Sequence, residues 1–410
     1  MTLALLGGSP VRTRPFAPWP DYGPEEETAL IEVLRSRAWG GYHESIKEFE
    51  RAFAAYHQVP HAVSCSNGTV ALEVALRALG VGPGDEVIVP PYTFVASASS
   101  ILLCGASPVF ADIDPVTCDL SAAAAERAIT PKTRAIVVVH FGGHPADMTA
   151  FQDLAHRHRL AIVEDSAHAH GARWCGVPVG GWGDLATFSF QSFKLMTAGE
   201  GGIILGRSPE LIDKCWSYCN QGRRRDGGWF DHFTLGTNYR MTAFQAAVLN
   251  AQLARMPQQA KLRAENVAYF RQQLKNFDGL TLAPDDPRVE QNPYYLLTLR
   301  FHPEGFSGAD RDTVLRALAA EGMPFKPTYP HPLYKNPVFT ALDAQPGAHA
   351  QEYGKLNLPE AERVCRDGVW LSHTVFLGDR RDIDDVMEAL HKVRKFASSL
   401  QPQEQIAAKS

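Results

Sequence analysis

His61-Ala62-Val63-Ser64-Cys65-Ser66-Asn67-Gly68-Thr69-Val70-Ala71-Leu72-Glu73-Val74-Ala75-Leu76-Arg77-Ala78-Leu79 is the stretch whose reading decides the fold. A short apolar run, residues 61–64, reads as a strand. Residues 68–79 read as a helix, with Ala71, Leu72, Ala75, Leu76 and Leu79 on one face. The turn Gly82-Pro83-Gly84-Asp85 then leads into a second strand, residues 86–90. The same alternation continues downstream. Helices are expected at 96–104, 122–129 and 147–157, and strands at 108–112, 135–139, 161–163, 184–189 and 202–205. Strands alternating with helices predict an α/β protein with three layers, α/β/α, around a mostly parallel sheet covered on both faces.

Beyond this block the pattern changes. Residues 209–256 look helical, interrupted by a Gly- and Arg-rich loop at 220–228. A polar helix at 261–275, a strand at 294–301, a helix at 310–321, a Pro-rich loop at 325–337 and a last helix at 382–396 follow, then a polar tail. Two domains are expected: a large one over residues 1–257, with an N-terminal arm, and a smaller C-terminal α+β domain over residues 258–410.

Composition bounds the function. The chain has 410 residues, a net charge of −5 and 45% apolar residues, which suits a folded globular protein and not a disordered one. A pI of about 6.3 argues against a nucleic-acid binder, which would carry a basic field. No apolar run is long enough for a membrane span, and the start of the chain does not read as a signal peptide. Seven cysteines at irregular spacing do not read as a disulfide framework. A reducing cytoplasm is the expected compartment.

Ligands of open parallel sheets bind at the carboxyl ends of the strands, so chemistry is expected just after each apolar run. No dinucleotide fingerprint or P-loop occurs there. Asn67-Gly68-Thr69 ends a strand and opens a helix, where backbone N–H groups, the helix dipole and a hydroxyl suit a phosphate. The same residues also read as ordinary capping. Glu164-Asp165-Ser166-Ala167-His168-Ala169-His170 places an acid at a strand end, where it can hold a cationic ring nitrogen. Its two histidines lack the third ligand of a zinc site, and no metal is expected. Phe188-Ser189-Phe190-Gln191-Ser192-Phe193-Lys194 ends a strand in a hydroxyl and sets a lysine among apolar residues. Desolvation there would lower the lysine pKa and free its amine as a nucleophile. A phosphate cradle, the aromatic Phe94, Asp165 and this lysine are together the parts a pyridoxal phosphate site needs.

In this order the residues resemble the fold-type I pyridoxal-phosphate enzymes, and more narrowly the DegT/StrS sugar aminotransferases. The likeness rests on Ser66-Asn67-Gly68-Thr69-Val70-Ala71-Leu72, Pro91-Tyr92-Thr93-Phe94-Val95-Ala96, Glu164-Asp165-Ser166-Ala167-His168, the stretch ending in Lys194, Gly199-Glu200-Gly201-Gly202 and Asn238-Tyr239-Arg240-Met241. Gly7-Gly8-Ser9-Pro10-Val11-Arg12 and Gln191 look like the branch that acts on secondary-metabolite sugars and cyclitols.

The resemblance implies roles. Lys194 would bond to pyridoxal 5′-phosphate and carry the proton. Asp165 would pair with the ring nitrogen, Phe94 would stack on the ring and His168 would lie beside it. Gly68, Thr69 and Ser189 would hold the phosphate, helped by Asn238 from the partner of a homodimer with shared sites. Tyr329 and His331, in the Pro-rich loop, are candidates for substrate hydroxyls, although a rigid packing loop reads as well. Arg240 is the candidate for the donor carboxylate. Arg223-Arg224-Arg225 reads as a solvated charge run or as a contact at the dimer interface.

The implied activity is transfer of an amino group from glutamate or glutamine to a keto-sugar or keto-cyclitol in antibiotic biosynthesis. Two alternatives stand beside it. One is an aromatizing synthase or dehydratase of the same fold, although the dehydratases carry His where Lys194 stands. The other is a non-catalytic regulatory protein, which would be free to lose Lys194 or Asp165.

Overall fold

The computed structural model describes residues 2–344 and 350–400. Two helices, α1 (Pro24–Ser36) and α2 (Glu44–Tyr56), precede β1 (His61–Cys65) and α3 (Gly68–Ala78). Then come β2 (Glu86–Val89), α4 (Ala96–Leu103), β3 (Ser107–Phe110), α5 (Ala122–Arg127), β4 (Thr133–Val139), α6 (Met148–His158) and β5 (Ala161–Asp165). A small hairpin, β6 (Arg173–Trp174) and β7 (Val177–Pro178), leads to β8 (Leu185–Ser189), β9 (Gly202–Gly206), α7 (Pro209–Cys219) and α8 (Ala243–Leu274).

Seven of these strands form one sheet in the order β1-β9-β8-β5-β4-β2-β3. From β3 to β8 the strands run parallel, while β9 is antiparallel to both β8 and β1. Side chains alternate between two cores, as the period of two requires. Val87 and Val89 pack on one face with α3 and α4 residues such as Leu72 and Ile101. Ile88, between them, packs on the other face with Phe151 and Leu154 of α6. Further along that second face, Phe188 and Ile203 meet Phe49 and Phe53 of α2 and Leu249 of α8. This is the expected α/β/α arrangement.

The C-terminal part holds β10 (Leu280–Leu282), β11 (Val289–Gln291), β12 (Leu296–Phe301), α9 (Arg311–Ala320), β13 (Lys326–Pro327), α10 (Pro337–Thr340), α11 (Pro359–Asp367), β14 (Gly368–Ser372) and α12 (Arg380–Lys395). Four of its strands make an antiparallel sheet, β10-β12-β14-β13, packed on α8, α9 and α12.

Three details differ from the sequence expectation. Helix α8 is continuous from 243 to 274, so the boundary placed at residue 257 falls inside it. Pro257 cannot donate an N–H to the turn before it, but the helix is carried through by packing on both sides, from Leu249 to Phe270. The N-terminal arm joins the C-terminal core. Leu3 is fully buried there, and the Arg12 guanidinium lies 2.7 Å from both Asp382 and Asp385 of α12. Conversely Leu333, Tyr334, Phe339 and Tyr353 pack into the core of the large sheet against Phe110. The polar tail begins with a 3₁₀ turn, Ala397–Leu400, and the rest of it lies outside the described residues.

Among the described residues no helix is long and apolar enough to cross a membrane, and no three His, Cys, Asp or Glu side chains gather as metal ligands. All seven cysteines are free.

Candidate active site

Strands β4, β5 and β8 deliver their last residues, Val139, Asp165 and Ser189, and the turn after β1 delivers Asn67, to one cavity of about 1000 Å³. Gly68, Thr69, Phe94, Asp165, His168, Ser189, Lys194 and Tyr329 all line it.

The floor is the start of α3. The Asn67 side chain accepts from Val70 N at 2.9 Å and so caps one of the orphan N–H groups of the first turn. Among the described residues the N–H groups of Gly68 and Thr69 have no acceptor. They and the positive end of the helix dipole make an anion site. Gly68 is required by space. A Cβ there would stand 2.7 Å from the Ser189 Cβ and 3.2 Å from its Oγ. The helix start and the hydroxyl at the end of β8 can therefore close on the same group.

Asp165 ends β5 and is buried. Its Oδ2 accepts from Ser97 Oγ at 2.7 Å, its Oδ1 accepts from Ala167 N at 3.2 Å, and Ser97 Oγ lies 3.0 Å from Thr93 Oγ1. These bonds fix the carboxylate rather than neutralise it, so it can serve a cationic partner in the cavity. Its neighbour Glu164 faces away. There Glu164 accepts from the backbone N–H groups of Gly180, Trp182 and Gly183 at 2.7–2.9 Å, and its Oε2 lies 3.1 Å from His140 Nε2.

Lys194 lies in the loop between β8 and β9. Burial brings its pKa down to about 8, against the opposing pull of the Asp165 charge. A usable fraction of neutral amine is therefore present near neutral pH. Its Nζ lies 4.7 Å from the centre of the Tyr295 ring. His168 stacks on the other part of this group, its ring 4.3 Å from that of Tyr295 at 26°. Burial, then the nearby Lys194 and His170, holds His168 well below the usual histidine range, so it stays neutral. Gly142 N lies 3.4 Å from its Nδ1. His170 points elsewhere, packed edge-on against Phe188 and Phe53. Phe94 stands at the rim, 57% exposed.

Three expected residues lie elsewhere. His331 lines a separate surface cleft with Asp310, Arg311, Lys335 and Glu362. Pro330 and Pro332 turn the chain after Tyr329, and Leu333 N is anchored to Pro91 O at 2.8 Å, which carries His331 away from the cavity. Arg240 leaves the cavity by lying over the Tyr42 ring at 5.3 Å, its stem packed against Gly41. Asn238 is exposed and outside the cavity of its own chain. The Arg223–Arg225 run is braced by rings: Arg223 lies over Trp229, Arg224 over Phe233 and Arg225 over Trp216.

Sequence reading passed over Ser97, Tyr295, Trp370 and Ser372, all four of which line the cavity. Ser97 carried a signal, being one helical turn beyond Thr93. Trp370 and Ser372 come from β14, whose return to the site no local pattern announces. A second cavity of about 700 Å³, beneath β12, holds none of the expected residues.

A family model described as the DegT/DnrJ/EryC1/StrS aminotransferase family matches residues 20–391. A Streptoalloteichus tenebrarius protein provisionally named L-glutamine:3-amino-2,3-dideoxy-scyllo-inosose aminotransferase is 40% identical, over 97% of this chain and 99% of its own. The L-glutamine:2-deoxy-scyllo-inosose aminotransferase of the same organism is 37% identical over 97% and 99%. The solved structure of 3-amino-5-hydroxybenzoic acid synthase superposes with a TM-score of 0.85 at 33% identity, covering 93% of this chain and 99% of that one.

Proposed function

This chain belongs to the DegT/DnrJ/EryC1/StrS aminotransferase family, and we propose that it moves the amino group of glutamine onto a keto-cyclitol, with pyridoxal 5′-phosphate as cofactor, in aminocyclitol antibiotic biosynthesis. The observation that carries the reading is the meeting of Lys194 and Asp165 over the open start of α3 in one cavity. The names of its relatives support glutamine as donor and an inosose as acceptor.

The residues present fit the cofactor. The N–H groups of Gly68 and Thr69 and the Ser189 hydroxyl suit its phosphate, in a cradle that a side chain at 68 would fill. Asp165, fixed by Ser97, suits its protonated ring nitrogen. Once bound, the cofactor supplies an electron-withdrawing ring and carries the amino group between the two substrates. Lys194 moves the proton at the substrate carbon, for which its lowered pKa near 8 is suited. His168 and Tyr295 wall the cavity with neutral rings. Tyr329, Trp370 and Ser372 offer hydroxyl and indole donors to a polyhydroxylated acceptor.

A homodimer with shared sites is part of this reading. Trp229, Phe230, Phe233 and Leu235 are exposed on the segment that carries Asn238, and Leu30, Ile31 and Leu34 of α1 are exposed as well. Apolar surface of this extent calls for cover, and a second copy would bring Asn238 to the partner's cofactor. The free cysteines support the cytoplasm as the compartment.

The structural likeness to 3-amino-5-hydroxybenzoic acid synthase favours one second reading, an aromatizing reaction at the same site. One experiment separates the two. The purified protein loaded with pyridoxal phosphate is mixed with glutamine, which should convert the cofactor to its amine form. A keto-inosose should then convert it back and yield an aminocyclitol. An aromatic product, or no response to any amino donor, overturns the proposal.

A further inference from the structure

Building on that cofactor reading, we propose that Tyr295 is a further catalytic residue, whose ring face holds the Lys194 amine in the cavity whenever that amine is not bonded to the cofactor.

The ring is fixed from every side. Arg263, fully buried in α8, donates its Nε–H to Pro293 O at 2.9 Å. Tyr294 adopts a left-handed backbone, φ 53°, with its N–H on Asn292 Oδ1 at 2.8 Å. This conformation is unfavourable for a bulky residue and persists only where the surroundings impose it. Gly143 packs so closely that a Cβ there would stand 3.1 Å from Pro293 Cγ and 3.2 Å from Tyr295 N. On the far side Tyr295 O accepts from His373 N at 3.1 Å. The Tyr295 ring is nearly parallel to those of His168, with centres 4.3 Å apart, and His373, with centres 5.9 Å apart.

Lys194 Nζ stands 4.7 Å from the centre of this ring. An aromatic face carries partial negative charge and draws an ammonium group. Asp165 favours the charged form of the amine, and His168 beside it is kept neutral by burial, as is His170, which is packed away against Phe188 and Phe53. The Tyr295 phenol is pushed up to about 12 by burial and takes no part as a charge. An amine released from the cofactor sits on a four-carbon stem with many rotamers. The ring gives it one place to rest, within reach of the group it must serve next. The phenol oxygen is not needed for this, so the role belongs to the ring.

The test uses the full-length protein stripped of cofactor. Pyridoxal phosphate is added across about pH 6 to 10, the range that brackets a lowered lysine, and capture is followed by its visible absorbance. The pH profile gives the apparent pKa of Lys194 and a limiting rate. Tyr295→Phe should match the parent in both. Tyr295→Leu and Tyr295→Met should lower the apparent pKa by about 0.5 to 1 and slow limiting capture by roughly fivefold or more. Where one of these two fails to fold, the other carries the test. Unchanged profiles in a folded ringless variant overturn the inference. A parent protein that captures no pyridoxal phosphate overturns the cofactor reading on which it stands.

Discussion

Gly68 and Ser189 are 121 residues apart in sequence, yet a Cβ on Gly68 would stand 2.7 Å from the Ser189 Cβ. One opens α3 and the other closes β8, and their contact shapes the anion cradle. Gly68→Ala should push the two apart. Such overpacking costs about 1–3 kcal/mol, expected here as roughly a tenfold or greater loss of pyridoxal phosphate affinity. Titration of the cofactor-free protein, with circular dichroism to confirm the fold, checks this. Equal affinity would remove the cradle from the argument.

The bond from Ser97 Oγ to Asp165 Oδ2, at 2.7 Å, predicts a graded pair of effects. Asp165→Asn removes the counter-charge itself and should lower the transamination rate by about a hundredfold or more. Ser97→Ala leaves the carboxylate in place and removes one charge-assisted bond. Such a bond contributes about 1.5–3 kcal/mol, so roughly a tenfold loss is expected. Stopped-flow reduction of the loaded enzyme by glutamine measures both. A Ser97→Ala loss as large as that of Asp165→Asn would mean that Ser97 has a role of its own.

The cavity residues proposed for the cofactor were legible because they stand at strand ends that the sequence marks. Val63, Val163 and Phe188 announce strands, and Gly68, Asp165 and Ser189 follow them. The cavity residues of the C-terminal part were not legible in this way. Trp370 and Ser372 arrive from β14 by long-range pairing with β12, and Tyr295 sits just before β12, where nothing local marks it. His331 and Arg240 lie outside the cavity of their own chain for a related reason. Their motifs fixed the chain position but not the side-chain direction, which Pro330, Pro332 and the Tyr42 ring decide. The two helices expected at 209–256 and 261–275 run together across Pro257 in α8, because burial on both sides carries the helix through it.

Lys194 predicts a pH dependence with a definite sign. In the folded, cofactor-free protein burial lowers its pKa to about 8, whereas the unfolded chain restores the ordinary lysine value. Between the two values the unfolded state binds more protons, so stability rises with pH across that window. Lys194→Met lacks this term and has no buried amine to desolvate. It should be more stable than the parent below about pH 8, with the difference shrinking toward about pH 10. Urea unfolding midpoints for both proteins over this range check it. A constant difference would mean that Lys194 is not desolvated.

Glu164 and Asp165 are neighbours with separate duties. Glu164 is fully buried and accepts three backbone N–H groups and His140. Together these hold residues 180–183 at the entry to β8. In Glu164→Gln an amide N–H would face donors, leaving buried groups unpaired at a cost of about 3 kcal/mol. The expected result is a clear drop in the urea midpoint, with cofactor affinity of the folded protein within about threefold of the parent. A loss of affinity without a loss of stability would place Glu164 in the cofactor's own contacts.

The exposed segment before Asn238 makes the last prediction. Phe230 is 86% exposed and Leu235 is 97% exposed, an unfavourable display for two large apolar side chains unless a second copy covers them. Asn238, close behind, has no place in its own chain's cavity. Replacing both apolar residues, Phe230→Asp with Leu235→Asp, should give monomers in sedimentation and, through the loss of the partner's Asn238, weaker cofactor retention. Asn238→Ala should weaken retention by about tenfold while the protein stays dimeric. The two variants separate assembly from contact, because only the first changes the sedimentation coefficient. A monomeric double variant that holds pyridoxal phosphate as tightly as the parent would sink the shared site. The cradle of Gly68, Thr69 and Ser189 would then have to suffice within one chain.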